Sequence, residues 1–490
     1  MEVSSKQYTV KTLGCKANFY DSQLLEVELQ RRGWTPAPPK STTASLCIVN
    51  SCTVTDEADR QSRRMASRLF RDNPNAHIVV TGCAAEVDPE RLVGTQGIHY
   101  IVGNQDKPRL VELVLKALEQ KREGATPEQG TVLGAVENYK DMLSRHPMDR
   151  EWPTPDEQFF TPPAGLQGHT SRTRAFLKLQ EGCNSFCTYC IIPYGRGPSR
   201  SLRPSEVISQ VSELVARGVR EVIITGTNVG DYGADWGEDR PNGVKLAELF
   251  ETILKETTLE RLRVSSLDPT EITPALIELA EREPRLCPHF HVSLQSPHSR
   301  ILRLMKRRYG FEEVKSCLER ISQVRAPLGG SFIGMDLITG FPGETLEEFE
   351  WTRQVLTELP WNRLHVFPYS ERTGTPATRL SGSLNLSERQ RRSRVLTDLS
   401  FQRLERYYQE TLRQLQNRHA LIENVLFERP VKGPDSGQLY WSGYTPNYLR
   451  VMVPVRPDTP SLQNQLLQVK PLQLILDRAS CDAALLAALP

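Results

Sequence analysis

Six of the ten cysteines in this 490-residue chain form two trios whose settings suit metal chemistry. The first is compact: Cys183-Asn-Ser-Phe-Cys187-Thr-Tyr-Cys190 comes directly after the apolar run at 176–179. A loop at the carboxyl end of a strand can fold three thiolates around one centre, and soft thiolates are the usual protein ligands of iron–sulfur clusters. Three ligands leave one iron of a four-iron cluster open to chelate a small molecule. A structural zinc site is the alternative. It needs a fourth ligand to close its tetrahedron, and no histidine lies within the loop.

The second trio is dispersed in sequence but uniform in setting. Cys15 follows Thr12-Leu13-Gly14, Cys52 follows Val49-Asn50-Ser51, and Cys83 follows Val80-Thr81-Gly82. Each ends a candidate strand. Adjacent strands of an open parallel sheet deliver their carboxyl ends to one crevice, where residues distant in sequence can meet at one metal. The competing reading is three small buried side chains, since free cysteine is among the most buried residue types. Cys47 sits inside the apolar run 46–49 and is expected in the core. Cys287, Cys317 and Cys481 have no ligand-like neighbours and take no role.

The elements that must position these thiolates follow from the hydrophobic pattern. Short apolar runs at 8–10, 46–49 and 77–80 alternate with helix-like stretches at 24–29, 56–70 and 109–118, the pattern of a small parallel α/β unit over 1–118. Charged residues, Pro and Gly then dominate 119–171, which reads as a linker with a short helix at 136–143. Six candidate strands follow, at 176–179, 221–225, 262–265, 290–294, 334–338 and 364–367. Helix-like segments at 205–216, 245–255, 274–282, 311–324 and 346–359 separate most of them, which predicts an incomplete parallel β/α barrel over 172–416. The barrel segment ends in a long charged helix at 389–416. Short strands at 421–428, 438–442, 448–453 and 472–476, punctuated by Gly, Pro and Asn, predict a small β-barrel over 417–480.

With 38% hydrophobic and 24% charged residues, and no apolar run near bilayer length, the chain is expected to be soluble. No export leader is legible at the first residues, so the cytoplasm is the expected compartment, where cysteines stay reduced. A net charge of +2 neither requires nor excludes a nucleic-acid partner, because local patches do the steering.

The CxxxCxxC loop resembles the radical S-adenosylmethionine (SAM) superfamily, in which the open iron chelates the amino and carboxylate groups of SAM and passes an electron into its sulfonium bond. In that superfamily the aromatic residue before the third cysteine, matched here by Tyr189, lies beside the cofactor. More specific motifs are TLGCKAN at 12–18, CTVTDEADRQSR at 52–63, VVTGCAAE at 79–86 and GCNSFCTYCIIPYGRGPSRS at 182–201. With HVSLQS at 291–296, GMDLITGFPGET at 334–345 and HVFPYSERTGTPA at 365–377, they resemble the methylthiotransferase family, in its threonylcarbamoyladenosine tRNA branch. By the same resemblance Gly226, Thr227 and Gln295 contact SAM; read as residues alone, the glycine makes a turn and Gln295 caps a loop. Pro297 stands where relatives usually carry Gly, and the linker is enlarged. GYTPNYLRV at 443–451, with Tyr440 and Trp441, resembles the RNA-binding TRAM domain, whose basic residues hold phosphates while Tyr and Trp stack on unpaired bases. The alternative is that these aromatics form the barrel's own core.

The resemblance implies two [4Fe–4S] clusters and SAM. It also implies insertion of a methylthio group at carbon 2 of N6-threonylcarbamoyladenosine at tRNA position 37, giving 2-methylthio-N6-threonylcarbamoyladenosine. No side-chain base removes that hydrogen at neutral pH, so a radical-generating cofactor is required. One cluster would cleave SAM to a deoxyadenosyl radical and the other would carry the sulfur that a second SAM methylates. The partners implied are tRNA and an external electron donor such as flavodoxin or ferredoxin, with no membrane and an open identity for the sulfur donor. Related branches act on isopentenyladenosine in tRNA or on a ribosomal-protein aspartate, and a non-catalytic RNA-binding protein with structural clusters is the alternative from another class.

Overall fold

The computed structural model describes residues 6–38, 41–122, 130–136, 149, 152, 173–239, 245–325, 328, 330–433, 437–456 and 460–489. Its first sheet contains β1 (Gln7–Thr12), β2 (Thr35–Pro36), β3 (Leu46–Ser51), β4 (His77–Gly82), β5 (Tyr100–Val102) and β6 (Thr131–Leu133), in the order β2-β1-β3-β4-β5-β6. Every pairing is parallel. All six residues of β3 are buried, as a central strand covered on both faces requires. Thr12 aligns with Asn50, and Ser51 with Gly82, so β1, β3 and β4 end side by side. The helix Asp56–Asp72 begins where Thr55 Oγ1 accepts the Ala58 N–H at 3.1 Å, and Asp56, Glu57 and Asp59 in its first turn favour the positive helix end.

β6 departs from the expected linker: residues 131–133 pair with β5 and extend the first sheet. The helix Leu110–Arg122 also runs past 118. Three residues in a Gly-bounded stretch, with Thr131 and Leu133 half-buried and Val132 exposed, carry little strand signal by themselves; the free edge of β5 recruits them. The short helix expected at 136–143 falls largely outside the described residues.

The next sheets hold β7 (Arg174–Glu181), β8 (Arg200–Ser201), β9 (Glu221–Gly226) and β10 (Arg261–Val264), ordered β10-β9-β7-β8, then β11 (His289–Gln295), β12 (Phe332–Thr339) and β13 (Arg363–Pro368) in sequence order. Parallel bridges from Leu262 to Leu286 and from Leu267 to Val292 carry the pairing from β10 to β11. All six expected strands are thus present in one parallel run, and β8 is a short antiparallel edge on β7. Helices Pro204–Ala216, Leu246–Glu256, Pro274–Arg282, Phe311–Ser322 and Leu346–Glu358 lie within a few residues of expectation. The last starts on a reciprocal cap between Thr345 and Glu348.

The long helix Leu386–Asn417 leads into a closed barrel of β14 (Ile422–Lys432), β15 (Leu439–Tyr444), β16 (Arg450–Pro454), β17 (Leu466–Asp477) and β18 (Asp482–Ala488). β18 lies beyond the expected 417–480 span; its alanine-rich sequence lacks the β-branched residues that signal a strand. This barrel sits against the amino ends of the central strands. Arg174 Nε donates to Glu428 Oε1 at 2.9 Å, and Arg261 and Arg263 each donate to backbone carbonyls, of Tyr444 and Pro446, at 3.0 Å. The aromatics expected to stack on RNA bases are otherwise engaged: Trp441 is in the barrel core, and Tyr448 stacks on His289 and Tyr444 at centroid separations of 4.5 and 4.8 Å. The core reading holds for Trp441, and Tyr448 seals the junction.

Candidate active site

Both cysteine trios stand at carboxyl ends of parallel strands. Cys15 precedes the helix Lys16–Arg31, Cys52 follows β3, and Cys83 opens the helix Cys83–Val87 immediately after β4. Cys52 and Cys83 are buried and Cys15 is exposed. Asn18, fully buried, ties the turns before Cys15 and Cys52 together: its Nδ2 donates to Leu13 O at 2.8 Å and to Ser51 O at 2.9 Å. Ser51 Oγ donates to Thr81 O at 2.5 Å and accepts from Ala84 N at 3.2 Å, which fixes the turn that presents Cys83.

Gly14 is required here by close approach. Its φ is +90°, and a methyl group on it would lie 2.6 Å from both Cβ and Sγ of Cys52. Gly14→Ala should therefore cost about 1–3 kcal/mol in strain and displace a thiol from the trio. Thermal melting and iron analysis of reconstituted protein check this: Tm should fall by about 2 °C or more and about four irons should be lost. An unchanged Tm with full iron would show that the turn tolerates a side chain.

The compact trio of Cys183, Cys187 and Cys190 occupies the loop after β7. Gly182, at φ +75°, would place a methyl 1.8 Å from Pro198 O, and Cys183 N donates to Gly197 O at 3.0 Å, so the loop doubles back on itself. Thr188 pins its centre by donating from N to Met305 O at 3.1 Å and from Oγ1 to Leu304 O at 2.8 Å. Arg307, which sequence reasoning missed, points Nη1 at Cys187 Sγ at 3.2 Å and is held by Tyr309 and Asp268. Nothing in a Lys306-Arg307-Arg308 run distinguishes this arginine from a solvated one. Tyr189 packs edge-on against Phe341, within electrostatic reach of Cys187 and Cys190.

The remaining expected contacts share this face. Gly226 ends β9, where a methyl would meet Gln180 O at 2.9 Å, and Thr227 Oγ1 donates to Glu181 Oε1 at 3.1 Å. Gln295 ends β11 in a left-handed conformation, φ 63°, beside a register shift against β12. Such backbone is sparsely populated by non-glycine residues and concentrates at functional sites. Of the other cysteines, Cys47, Cys287 and Cys317 are buried in the core and Cys481 is half-exposed.

The segment after Cys190 packs on the helix that opens at Cys83. Asn104 Nδ2 donates to Cys83 Sγ at 3.4 Å and to Gly195 O at 2.6 Å, and a methyl on Gly195 would come within 3.6 Å of Cys83 Cβ. The segment that follows Cys190 thereby lies directly on the helix that starts at Cys83. Beside this contact lies a buried charge network. Lys178 Nζ is 2.5 Å from both Asp21 Oδ1 and Glu181 Oε2, Lys107 Nζ is 2.9 Å from Asp21 Oδ2, and Arg196 Nη1 is 2.5 Å from Glu181 Oε1. Burial alone would raise the Glu181 carboxyl, but Arg196 and Lys178 pull it down to about 2. Burial likewise opposes the Arg196 charge, yet Glu181, Cys83, Asp21 and Cys15 hold its pKa well above the ordinary value. A lysine set inside the apolar run Phe176-Leu177-Lys178-Leu179 was the legible sign of this network.

The donor set fits clusters. Burial pushes the bare Cys183 thiol up to about 11 and Cys52 up to about 12, so metal binding must displace their protons, with Arg196 favouring the charged state at Cys52. N–H donors aimed at Cys83 and Cys187 and the guanidinium near Cys83 and Cys15 stabilise thiolate ligands. Among the described residues no group of three or more His, Cys, Asp or Glu closes around a single ion. Cluster cysteines each bind a different iron and so stand wider than zinc ligands.

The family model described as the radical SAM superfamily matches residues 177–356, and the one described as uncharacterized protein family UPF0004 matches 7–103. Each spans one whole trio. A Bacillus subtilis protein named threonylcarbamoyladenosine tRNA methylthiotransferase MtaB is 34% identical over 441 residues, covering 90% of this chain and 89% of that protein. The chain belongs to the methylthiotransferase family of radical SAM enzymes. Its cofactors are accordingly SAM and two [4Fe–4S] clusters, and it is a transferase. An Aquifex aeolicus methylthiotransferase of the same name is 34% identical, with 82% of this chain and 89% of that protein aligned. Among solved structures, the radical SAM methyltransferase TsrM from Kitasatospora setae, with cobalamin and a [4Fe–4S] cluster bound, superposes with a TM-score of 0.53 at 16% identity, covering 76% of this chain and 77% of that one. This likeness concerns the fold. Among the described residues no helix of this methylthiotransferase is long and apolar enough to cross a membrane.

Proposed function

We propose that this methylthiotransferase converts N6-threonylcarbamoyladenosine at position 37 of tRNA to its 2-methylthio derivative, with Cys183, Cys187 and Cys190 holding the cluster that engages SAM and Cys15, Cys52 and Cys83 holding the auxiliary cluster. The observation that supports this reading is the seating of the short helix after Cys190 on the helix that opens at Cys83, through Asn104, Cys83 and Gly195. When bound, the clusters supply reducing electrons to SAM and a site for sulfur.

The chain's own residues do the rest. Arg307 donates to Cys187 and keeps its thiolate oriented, while Thr188 anchors the loop so that Tyr189 stays beside the cofactor position. Arg196, locked by Glu181 and Asp21, sets a permanent positive charge between the trios and near Cys83 and Cys15. Gly226, Thr227 and Gln295 are assigned to SAM contacts at the strand ends. The C-terminal barrel is the tRNA-holding unit of this reading, through exposed Arg429, Lys432, Lys470 and Arg478. The reading places the enzyme in the cytoplasm with a flavodoxin- or ferredoxin-type electron donor.

Nucleoside mass spectrometry of tRNA from a strain lacking the gene tests the product. Loss of the methylthio mark from threonylcarbamoyladenosine is expected; loss from isopentenyladenosine, or from a ribosomal-protein aspartate, would overturn the assignment.

A further inference from the structure

The central barrel encloses a cavity of about 340 Å³, within the range of small-molecule sites. Most of the positive charge around it is already matched. Arg174 pairs with Glu428 at 2.9 Å, Arg263 with Glu221 at 2.8 Å, and Arg363 and Arg450 share Asp482 at 3.1 and 2.9 Å. Lys16 is different. It is the first residue of the helix after Cys15, it lines the same cavity, and among the described residues it forms no ion pair or hydrogen bond.

Its surroundings complete a polar site. Asp336 stands 2.9 Å from His291 Nε2, and the His291 ring stacks on His365 at 5.2 Å. Burial and the neighbouring His291 push His365 down to about 4, so His365 adds no positive charge at neutral pH. Deeper in, His289 is 7% exposed and its Nδ1 is buried with no hydrogen-bond partner, although it too lines the cavity. An unmatched ammonium and an unsatisfied imidazole lining one cavity, with the Asp336 carboxylate within electrostatic reach of Lys16, call for an anionic, hydrogen-bonding ligand.

We infer that Lys16 binds the carboxylate of the substrate's threonylcarbamoyl group inside this cavity and thereby selects threonylcarbamoyladenosine over adenosines with apolar N6 substituents. The inference rests on the proposed tRNA substrate and deepens it. The threonyl group brings a carboxylate, which needs a cation, and a hydroxyl, which needs an acceptor such as Asp336. An isopentenyl group offers neither and would leave Lys16 unpaired, the usual basis of strong discrimination. SAM also carries a carboxylate, so the test must separate the two sources.

The full-length, reconstituted enzyme should be titrated with anticodon stem-loop RNAs carrying threonylcarbamoyladenosine, its carboxamide analogue, isopentenyladenosine or plain adenosine. The wild type should favour the carboxylate form over the carboxamide by about ten- to a hundredfold. Lys16→Met should remove that preference, Lys16→Arg should restore part of it, and the carboxamide should cost Lys16→Met nothing further. Because Lys16 adjoins Cys15, iron content is measured for each variant; the carboxamide arm on the wild type stands even if a variant loses its cluster. Equal wild-type affinity for carboxylate and carboxamide, or a preference kept by iron-replete Lys16→Met, would overturn the inference while leaving the substrate reading intact. Weakened SAM binding by Lys16→Met with the RNA preference retained would also overturn it, assigning the lysine to SAM instead. A wild type that prefers plain adenosine or isopentenyladenosine RNA would remove the substrate reading and this inference with it.

Discussion

Cys187→Ala should abolish 5′-deoxyadenosine formation from SAM and halve the iron of the reconstituted enzyme, from about eight to about four atoms per chain. Two features make this a clean expectation. Cys187 receives the Arg307 guanidinium at 3.2 Å, so its loss removes one of three ligands and strands a cation prepared for a thiolate. The loop itself does not depend on that thiol for its path, because Gly197, Leu304 and Met305 carbonyls and the Ala377 N–H hold its backbone and Thr188. The fold and the remote trio should therefore persist, and the residual iron should sit at Cys15, Cys52 and Cys83. Anaerobic chromatography for deoxyadenosine, with iron quantified on the same sample, decides the matter. Deoxyadenosine at the wild-type level would show that another set of residues holds the SAM-engaging cluster.

Cys52→Ala should separate the two halves of the chemistry. Its thiol is buried beside Gly14, and its backbone is held independently: Cys52 N donates to Ser62 Oγ at 3.2 Å, and Ser62 Oγ donates back to Cys52 O at 3.3 Å. Removing one sulfur should thus leave the strand end in place and destroy only the auxiliary site. SAM cleavage should continue, uncoupled, while the methylthio product falls to background by mass spectrometry. Wild-type product yield from this variant would dismiss the auxiliary role of Cys15, Cys52 and Cys83. The reciprocal outcomes of the two substitutions matter more than either one, because a general loss of folding would lower both activities in both proteins.

Much of this was legible before any coordinates. The CxxxCxxC loop was legible as a candidate cluster site because its three cysteines lie within one turn-forming segment, and local spacing limits where their side chains can go. The six barrel strands and most of the helices between them were equally plain, since buried parallel strands read as apolar runs and their covering helices as amphipathic ones. β6 and β18 were not: one is recruited by an open sheet edge, and the other is built from alanines that become a strand only inside a closing barrel. Of the two readings open for Trp441 and Tyr448 the packed one holds, and sequence could not choose between them, because an aromatic side chain looks the same in a sequence whether it faces RNA or a neighbouring sheet.

By itself the amino-acid sequence determined the two thiolate trios, the parallel strands that end at them and the family these features share. Only the tertiary structure decided that Arg307 serves Cys187, that Asn104 and Gly195 seat the segment after Cys190 on the helix that opens at Cys83, and that Lys16 turns away from its neighbour Cys15 into the barrel. Ligand spacing and hydrophobic periodicity are local properties, written over a few residues. The pairing of a charge or an N–H with a distant sulfur depends on how whole sheets are docked, and no short stretch of chain encodes that alone.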